Sequence, residues 1–504
     1  MVFVFLLVVV FLPCKTILGA RGSGKSTGLA VDLLAAAMMG IAVVVLDRPG
    51  TLARAMVGHL CAAGLESKTL IEIASDTDRV LRFPYIQNSD KPGLDGEREN
   101  EFADECFAQA FGAKRGVKRL EGNPYTNKYV RSPAAIFRSQ PDCTAIPIGD
   151  FEYIFRPGVK KHDELFASAH ENRPVLEMMQ VEARARRNPI QYEIETGASE
   201  RLLSILWKSA VVRIRHGKGV DWTELLKQKA QVYFDLANIT EEAARTIAIL
   251  VAHSAINAAR KHFYETKKPL PVVIVLEEAG ALDLVTPFII SSMQELRKAG
   301  VSIWLVSQDF EPATFEQLLG LTEEHLYYRV NSGVDRAAED CAHPSFDPNA
   351  VHYERERVVS DGFEAIRTTV RGSSEDQTID GKKRKRKDSR ESVSYLPVQH
   401  VVMDKYVKPY ELQKQEWATK LSTQKVGERV VVGLSGVRVE RIIPLGEPWP
   451  LGLSQIRTLK VIDRIRSKPP FQQVQPEPPA EQQVQKSPST QPSAPPAPDS
   501  LLFG

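Results

Sequence analysis

Residues 19–26 read Gly19-Ala20-Arg21-Gly22-Ser23-Gly24-Lys25-Ser26, with Thr27 next, and no other stretch limits the possible folds as tightly. The run fills the pattern G-x-x-x-x-G-K-S/T at every defined position. Its glycines allow successive backbone N–H groups to turn inward as an anion-binding nest, and the helix that follows adds its positive end. In that geometry the Lys25 ammonium bridges the β- and γ-phosphates of a nucleotide and the Ser26 hydroxyl ligates Mg²⁺. Residues 19–27 are therefore expected to bind ATP or GTP with Mg²⁺.

The pattern has this meaning only between a strand and a helix, and the flanks supply both. Thr16, Ile17 and Leu18 form a short β-prone run, and residues 26–39, rich in Ala and Leu, read as a helix. Residues 41–46 (IAVVVL) are an apolar, β-branched run of the kind a buried parallel strand shows. They close on Asp47, with a turn at Gly50, so strand, loop, helix and strand make one βαβ unit. A glycine turn carrying a solvated lysine, the other reading of the motif, does not require that context.

Strand-like runs return after a long polar interval. Residues 231–236 (QVYFDL) precede a long helix over about 241–264, residues 272–276 form the next strand and 287–298 a helix. Residues 301–307 (VSIWLVS) and 325–330 read as two more strands. This alternation predicts an α/β fold with a mainly parallel sheet covered by helices on both faces. Residues 91–227 are mixed and polar, with basic helical stretches at 178–187 and 200–213, and read as a largely helical insertion between two halves of one core.

Glu277 and Glu278 directly follow the apolar run 272–276, which places both carboxylates at the C-terminal edge of the sheet beside the phosphates. Glu277 is expected to complete the Mg²⁺ shell with Ser26, and Glu278 to polarise the attacking water. The usual pattern has Asp in the first place. Glu277 is one methylene longer, which shifts the metal or works through a different water and leaves catalytic efficiency open. A strand ending in two solvated acids is the alternative, weakened by the complete phosphate loop. Gln308, at the tip of the strand 301–307, is placed to sense a γ-phosphate, and Arg297, at a helix end, to reach into a neighbouring subunit's site. Taken singly, Arg297 reads as a solvated helix end and Gln308 as a loop hydrogen bonder; only the combination gives them weight.

The rest of the chain sets limits. Its 504 residues suffice for two or three domains, and 43% apolar with 25% charged residues is ordinary for a globular protein. A formal net charge of +2 neither demands nor excludes a nucleic-acid partner. The five cysteines (Cys14, Cys61, Cys106, Cys143, Cys341) are scattered without a C-x-x-C pair, which points away from a disulfide framework or zinc site and fits a reducing cytosol. Residues 2–12 are an unbroken apolar run ending at Pro13. It falls short of the roughly 20 residues a spanning helix needs and lacks a basic n-region. It reads as a buried leading strand, the stub of a membrane anchor, or the product of a misplaced start. Residues 372–390, with an uninterrupted basic run at 382–387, read as a disordered loop. Such a run touches DNA phosphates in a salt-sensitive way or, more commonly, is merely solvated. From about residue 468 a Pro/Gln/Ser-rich tail cannot build a core and is expected to be disordered.

The order of these motifs resembles the HerA–FtsK superfamily of ring-forming DNA-pumping ATPases, and within it the TraG-like conjugative coupling proteins of type IV secretion systems. The matching pieces are residues 19–27, the strand ending Asp47-Arg48-Pro49-Gly50, and Arg79-Val80-Leu81-Arg82-Phe83-Pro84. Residues 231–236 with their helix, 272–278, and Arg297-Lys298-Ala299-Gly300 through Gln308 complete the set. The spacing from Arg297 to Gln308 is its most family-specific element and the phosphate loop its least. The resemblance implies a RecA-like P-loop core assembled as a hexamer, with ATP and Mg²⁺ at subunit interfaces and DNA as partner. Arg297 is then a trans-acting finger and Gln308 the residue coupling nucleotide state to DNA grip.

With the residue patterns, the chain divides into an apolar segment (1–14), a first half of the core (15–90), the insertion (91–227) and a second half (228–335). A polar linker with the basic run (336–393), a small C-terminal module (394–445) and a mostly disordered tail (446–504) follow. Three departures stand out. Such proteins usually carry transmembrane helices well before the phosphate loop, where this chain has only residues 2–12. Glu277 replaces Asp, and the module containing Lys425-Val426-Gly427-Glu428-Arg429 has no counterpart in the core family. The implied function is an ATP-driven DNA translocase in the cytoplasm or at the inner face of the cytoplasmic membrane, working with a secretion system. Two alternatives stay open: a soluble HerA-like DNA-processing or defence ATPase with a nuclease partner, and a nucleotide-dependent switch or scaffold that barely turns over.

Overall fold

The structure, a computed structural model, describes residues 12–76, 86–87, 110, 145–146, 160, 164, 188, 221–376, 384–446 and 454–467. Of the expectations above, the apolar run at 2–11, the motif at 79–84, nearly all of the insertion 91–227 and the tail from 468 lie outside these residues. In chain order the described elements begin with β1 (Lys15–Leu18), α1 (Lys25–Met38), β2 (Ala42–Asp47), α2 (Leu52–Ala62) and β3 (Thr69–Ile73). A two-residue ladder of β4 (Ile86–Gln87) and β5 (Ala145–Ile146) follows, then α3 (Trp222–Lys227), β6 (Gln231–Asp235), α4 (Glu241–Thr266) and β7 (Val272–Glu277). Next come α5 (Pro287–Glu295), β8 (Val301–Ser307), α6 (Pro312–Leu319), β9 (Glu324–Tyr327) and α7 (Val334–Ser345). The described chain closes with β10 (Val351–Asp376), β11 (Arg384–Val407), α8 (Tyr410–Thr423), β12 (Glu428–Gly433), β13 (Gly436–Arg441) and α9 (Ser454–Ser467).

The chain divides into two compact units, Met1–Ala35 with Thr266–Gly446, and Ala36–Glu265 with Glu447–Gly504. In the first, the strands follow the order β13-β12-β9-β1-β8-β7. β1 is parallel to β8 and β9, and β7 is parallel to β8. β12 turns back antiparallel to β9, and β13 to β12. Both β7 and β8 are buried along their whole length. That is why they read as continuous apolar runs rather than alternating ones: a parallel strand covered on both faces has no solvent side to mark.

In the second unit β6 lies between β2 and β3 and is parallel to both. The Asp47 carboxylate at the end of β2 accepts the backbone N–H groups of Gly50 (2.8 Å) and Leu52 (2.7 Å), fixing the turn into α2. Asp235 ends the paired position of β6, and burial pushes its carboxyl above the usual range, with the charge of Asp47 adding to the shift. The architecture is thus mixed α/β with mainly parallel strands, as the alternation of strand and helix patterns predicts. Among the described residues no helix is long and apolar enough to cross a membrane.

Three stretches depart from the sequence reading. The helix expected over 287–298 stops at Glu295 and tightens into a 3₁₀ turn, Leu296–Ala299, closed by Gly300 at φ 86°. Residues 372–390, expected as a disordered loop, are strand to Asp376 and again from Arg384, the outer part of an antiparallel β10–β11 hairpin. Its register sets Glu375 opposite Lys385 and Asp376 opposite Arg384. Nearer the base, Tyr353 stacks on Tyr406 with ring centroids 4.5 Å apart. Finally, residues 454–467, placed in the disordered tail, form α9. Val461, Ile462 and Ile465 are buried there, Arg464 pairs with Glu66 at 2.6 Å, and Arg466 pairs with Asp76 at 2.6 Å.

Candidate nucleotide site

Strand β1, with Thr16, Ile17 and Leu18 all buried, delivers the chain to the phosphate loop. Gly22 (φ 74°) and Gly24 (φ 97°) sit in the left-handed region, where a side chain is strained, so the motif's glycines are used as such. Within the loop, the Ser23 hydroxyl is buried and has no hydrogen-bond partner. The Lys25 ammonium folds back onto its own loop, donating to Gly19 O and, at 3.2 Å, to Ala20 O. Burial pulls its pKa below the ordinary lysine value, and the charges of Glu278 and Glu277 work against that fall. A buried hydroxyl with no partner and a lysine donating to its own loop's carbonyls are groups that phosphate oxygens satisfy. The donor set fits a nucleotide's phosphates.

On the γ-phosphate side, Ser26 Oγ donates to Glu277 Oε1 at 3.3 Å. Glu277, the last residue of β7, is buried. A hydroxyl and a carboxylate, both hard oxygen donors, suit Mg²⁺, which takes few protein ligands and keeps the substrate's phosphates as others. Glu278 takes the left-handed backbone conformation (φ 56°), which is unusual for a residue with a side chain. Its carboxylate accepts from Gln308 Nε2 at 2.7 Å. The turn is held close to the end of β8 by Ala279 N donating to Val306 O at 2.9 Å. A side chain on Gly280 would stand 2.7 Å from Ser307 Oγ. Lys25, Ser26, Glu277, Glu278 and Gln308, chosen from sequence for their residue types, therefore meet at one strand edge.

Arg297 does not join them. It precedes β8, whose partner β1 runs parallel, so it lies at the opposite strand edge from the phosphate loop. There it pairs with Glu323 and donates to Leu321 O at 3.3 Å. It also lines a cavity of about 430 Å³ together with Pro13, Glu324 and Leu434.

A half-buried polar cluster on the other flank of the loop is absent from the sequence reading. Arg429 of β12 reaches α1, donating to Asp32 Oδ2 (2.6 Å) and Oδ1 (3.2 Å), and also bonds Glu440 Oε2 at 2.8 Å. Burial works against its charge, but these carboxylates hold its pKa above the ordinary arginine value. Tyr328 crosses the base of the same helix. A Cβ on Gly19 would stand 2.7 Å from the Tyr328 Cβ, and one on Gly28 would land on the phenol oxygen. Burial raises the Tyr328 phenol to about 12, with Arg429 opposing the rise. The signal for this cluster is long-range: Asp32 and Arg429 are 397 residues apart.

No known family's sequence profile matches the chain, and no curated protein matches it. Among solved structures it is similar to the bacterial conjugative coupling protein TrwBdeltaN70 in an unbound form. That match has 11% identity, covers 86% of this chain and 85% of that one, and has a TM-score of 0.49. The plasmid coupling protein TrwB with a non-hydrolysable GTP analogue is similar at 11% identity, 86% coverage of each chain and TM-score 0.48. TrwB with ADP and Mg²⁺ matches at 10% identity, 86% and 85% coverage and TM-score 0.47. Likenesses of this size decide neither activity nor ligand, and the site is read from its own residues.

Proposed function

We propose that this chain is an ATP-hydrolysing motor of the coupling-protein type, acting on DNA as a ring of subunits. The observation that carries the nucleotide reading is the meeting of Lys25, Ser26, Glu277, Glu278 and Gln308 at one strand edge. The loop N–H groups and Lys25 would hold the β- and γ-phosphates, and Ser26 with Glu277 would hold Mg²⁺, which would supply charge neutralisation at the transferred phosphoryl group. Glu278 accepts the proton of the attacking water and orients it. Gln308, bonded to Glu278, positions that carboxylate and links it to the neighbouring strand end.

The motor reading rests on the order and spacing of the motifs from residue 19 to Gln308, above all on Arg297 to Gln308. Arg297 is remote from the chain's own phosphate loop and exposed enough to serve a neighbouring copy once it leaves Glu323. One observation favours a weakly hydrolysing switch instead: Glu277 stands where Asp is usual, and its length alters the metal shell.

The test is steady-state ATP hydrolysis by the full chain over a wide dilution series, with and without duplex and single-stranded DNA. The expected result is a rate per subunit that falls on dilution and rises several-fold with DNA. A rate that is flat with concentration and indifferent to either DNA contradicts the ring motor and favours the switch.

A further inference from the structure

The two flanks of the phosphate loop are chemically different. Across β8, at the end of β7, stand Glu277 and Glu278, so the γ-phosphate end of a nucleotide faces that side. A nucleotide so placed would extend its nucleoside toward the other side, where β9 and β12 lie. Because β12 runs antiparallel to β9, its beginning lies at the strand edge where the loop sits.

The segment leading into β12 touches the loop directly. Gly427 N donates to Ser23 O at 3.4 Å. A Cβ on Gly24 would stand 3.0 Å from Gly427 N and 3.7 Å from Val426 Cγ1. Gly427 itself has φ 83°, which keeps the turn tight enough to lie there. Two side chains in this turn are out of place for a mere connection. Val426 is apolar yet 67% exposed at the edge of the loop. Gln424 is buried, and neither its amide oxygen nor its amide nitrogen has a hydrogen-bond partner. A buried unpaired amide is uncommon and calls for a ligand or a role.

We propose that residues 424–427 form the nucleoside wall of the site, with Val426 packing on the base and the Gln424 amide reading the edge of adenine. An amide carries a donor beside an acceptor, which matches the amine and ring nitrogen that adenine presents side by side. The proposal rests on the ATP reading above and assigns the residues that select the base within that same site.

The experiment is equilibrium binding, by calorimetry with Mg²⁺ and no turnover readout, of ATP, purine riboside triphosphate and inorganic triphosphate to the full chain. The variants are Val426→Asn, Gln424→Leu and Lys25→Ala. Val426→Asn, at an exposed position, is expected to weaken ATP about tenfold while leaving triphosphate within about twofold, since only the base loses an apolar contact. Gln424→Leu is expected to reduce the preference for ATP over purine riboside triphosphate, which lacks the amine, by about tenfold. Lys25→Ala loses all three ligands. If Val426→Asn and Gln424→Leu bind and discriminate as the wild type does, the nucleoside wall is wrong while the phosphate site stands. If the wild type binds neither ATP nor triphosphate, the nucleotide reading falls and the wall with it.

Discussion

Glu278→Gln lowers ATP turnover by about 10²–10⁴-fold, the range over which a positioned general base contributes, and leaves ATP affinity nearly unchanged. The amide keeps the size and the hydrogen-bonding shape of the carboxylate, so the strained backbone at φ 56° and the contact with Gln308 survive in altered form. What is lost is the capacity to take a proton from water. Single-turnover hydrolysis and nucleotide binding, measured on the same preparation, separate the two effects. Gln308→Ala, by contrast, removes a positioning contact and lowers turnover by about tenfold or less. Turnover of Glu278→Gln within threefold of wild type would remove Glu278 from the chemistry.

The second large effect is on stability. Arg429→Ala strands Asp32 and leaves Glu440 with Arg438 alone, and is expected to cost about 3 kcal/mol, the low end of what removing one partner from a buried ion pair costs, since the cluster is half-buried. The Arg429 and Asp32 side chains retain only 14% and 16% of their exposure, so water does not replace the lost bonds. Because Asp32 belongs to α1, the helix that begins with Lys25, the same variant loosens the helix that carries the phosphate loop. Denaturant unfolding monitored on the first unit measures the cost. A loss below about 1 kcal/mol would place the cluster with ordinary surface pairs.

The sequence makes the phosphate loop, the acid pair and Gln308 legible because each depends on local order: a loop between strand and helix, two acids ending an apolar run, an amide ending the next strand. Buried parallel strands such as β7 and β8 announce themselves the same way. The Arg429 cluster and the turn at Gly427 are not legible, because they exist only once β12 pairs with β9 and brings residues almost 400 positions apart against α1. The β10–β11 hairpin is hidden for another reason. Both its faces are largely exposed, with Phe363, Tyr395 and Val401 all exposed among charged neighbours, so its strands lack the one-sided alternation that a half-buried sheet imposes. Helix α9 is concealed by its charges. Its apolar face is Val461, Ile462 and Ile465, and its arginines are meaningful only against Glu66 and Asp76.

Arg297 shows what a residue pattern can and cannot assign. Its spacing to Gln308 suits a motif shared by ring ATPases, yet within one chain it lies at the far end of β8 and pairs with Glu323. A role in hydrolysis then requires a second subunit, which is why the dilution series in Results bears on it directly.

The most direct measurement is ATP hydrolysis with Mg²⁺ by the full chain beside Lys25→Ala, with nucleotide binding measured in parallel. Lys25 is the single cation buried within the phosphate loop, and its removal is predicted to abolish both binding and turnover while the fold, followed by circular dichroism, is retained. Binding and turnover that persist in Lys25→Ala at wild-type levels would contradict the assignment of residues 19–27 as the nucleotide site.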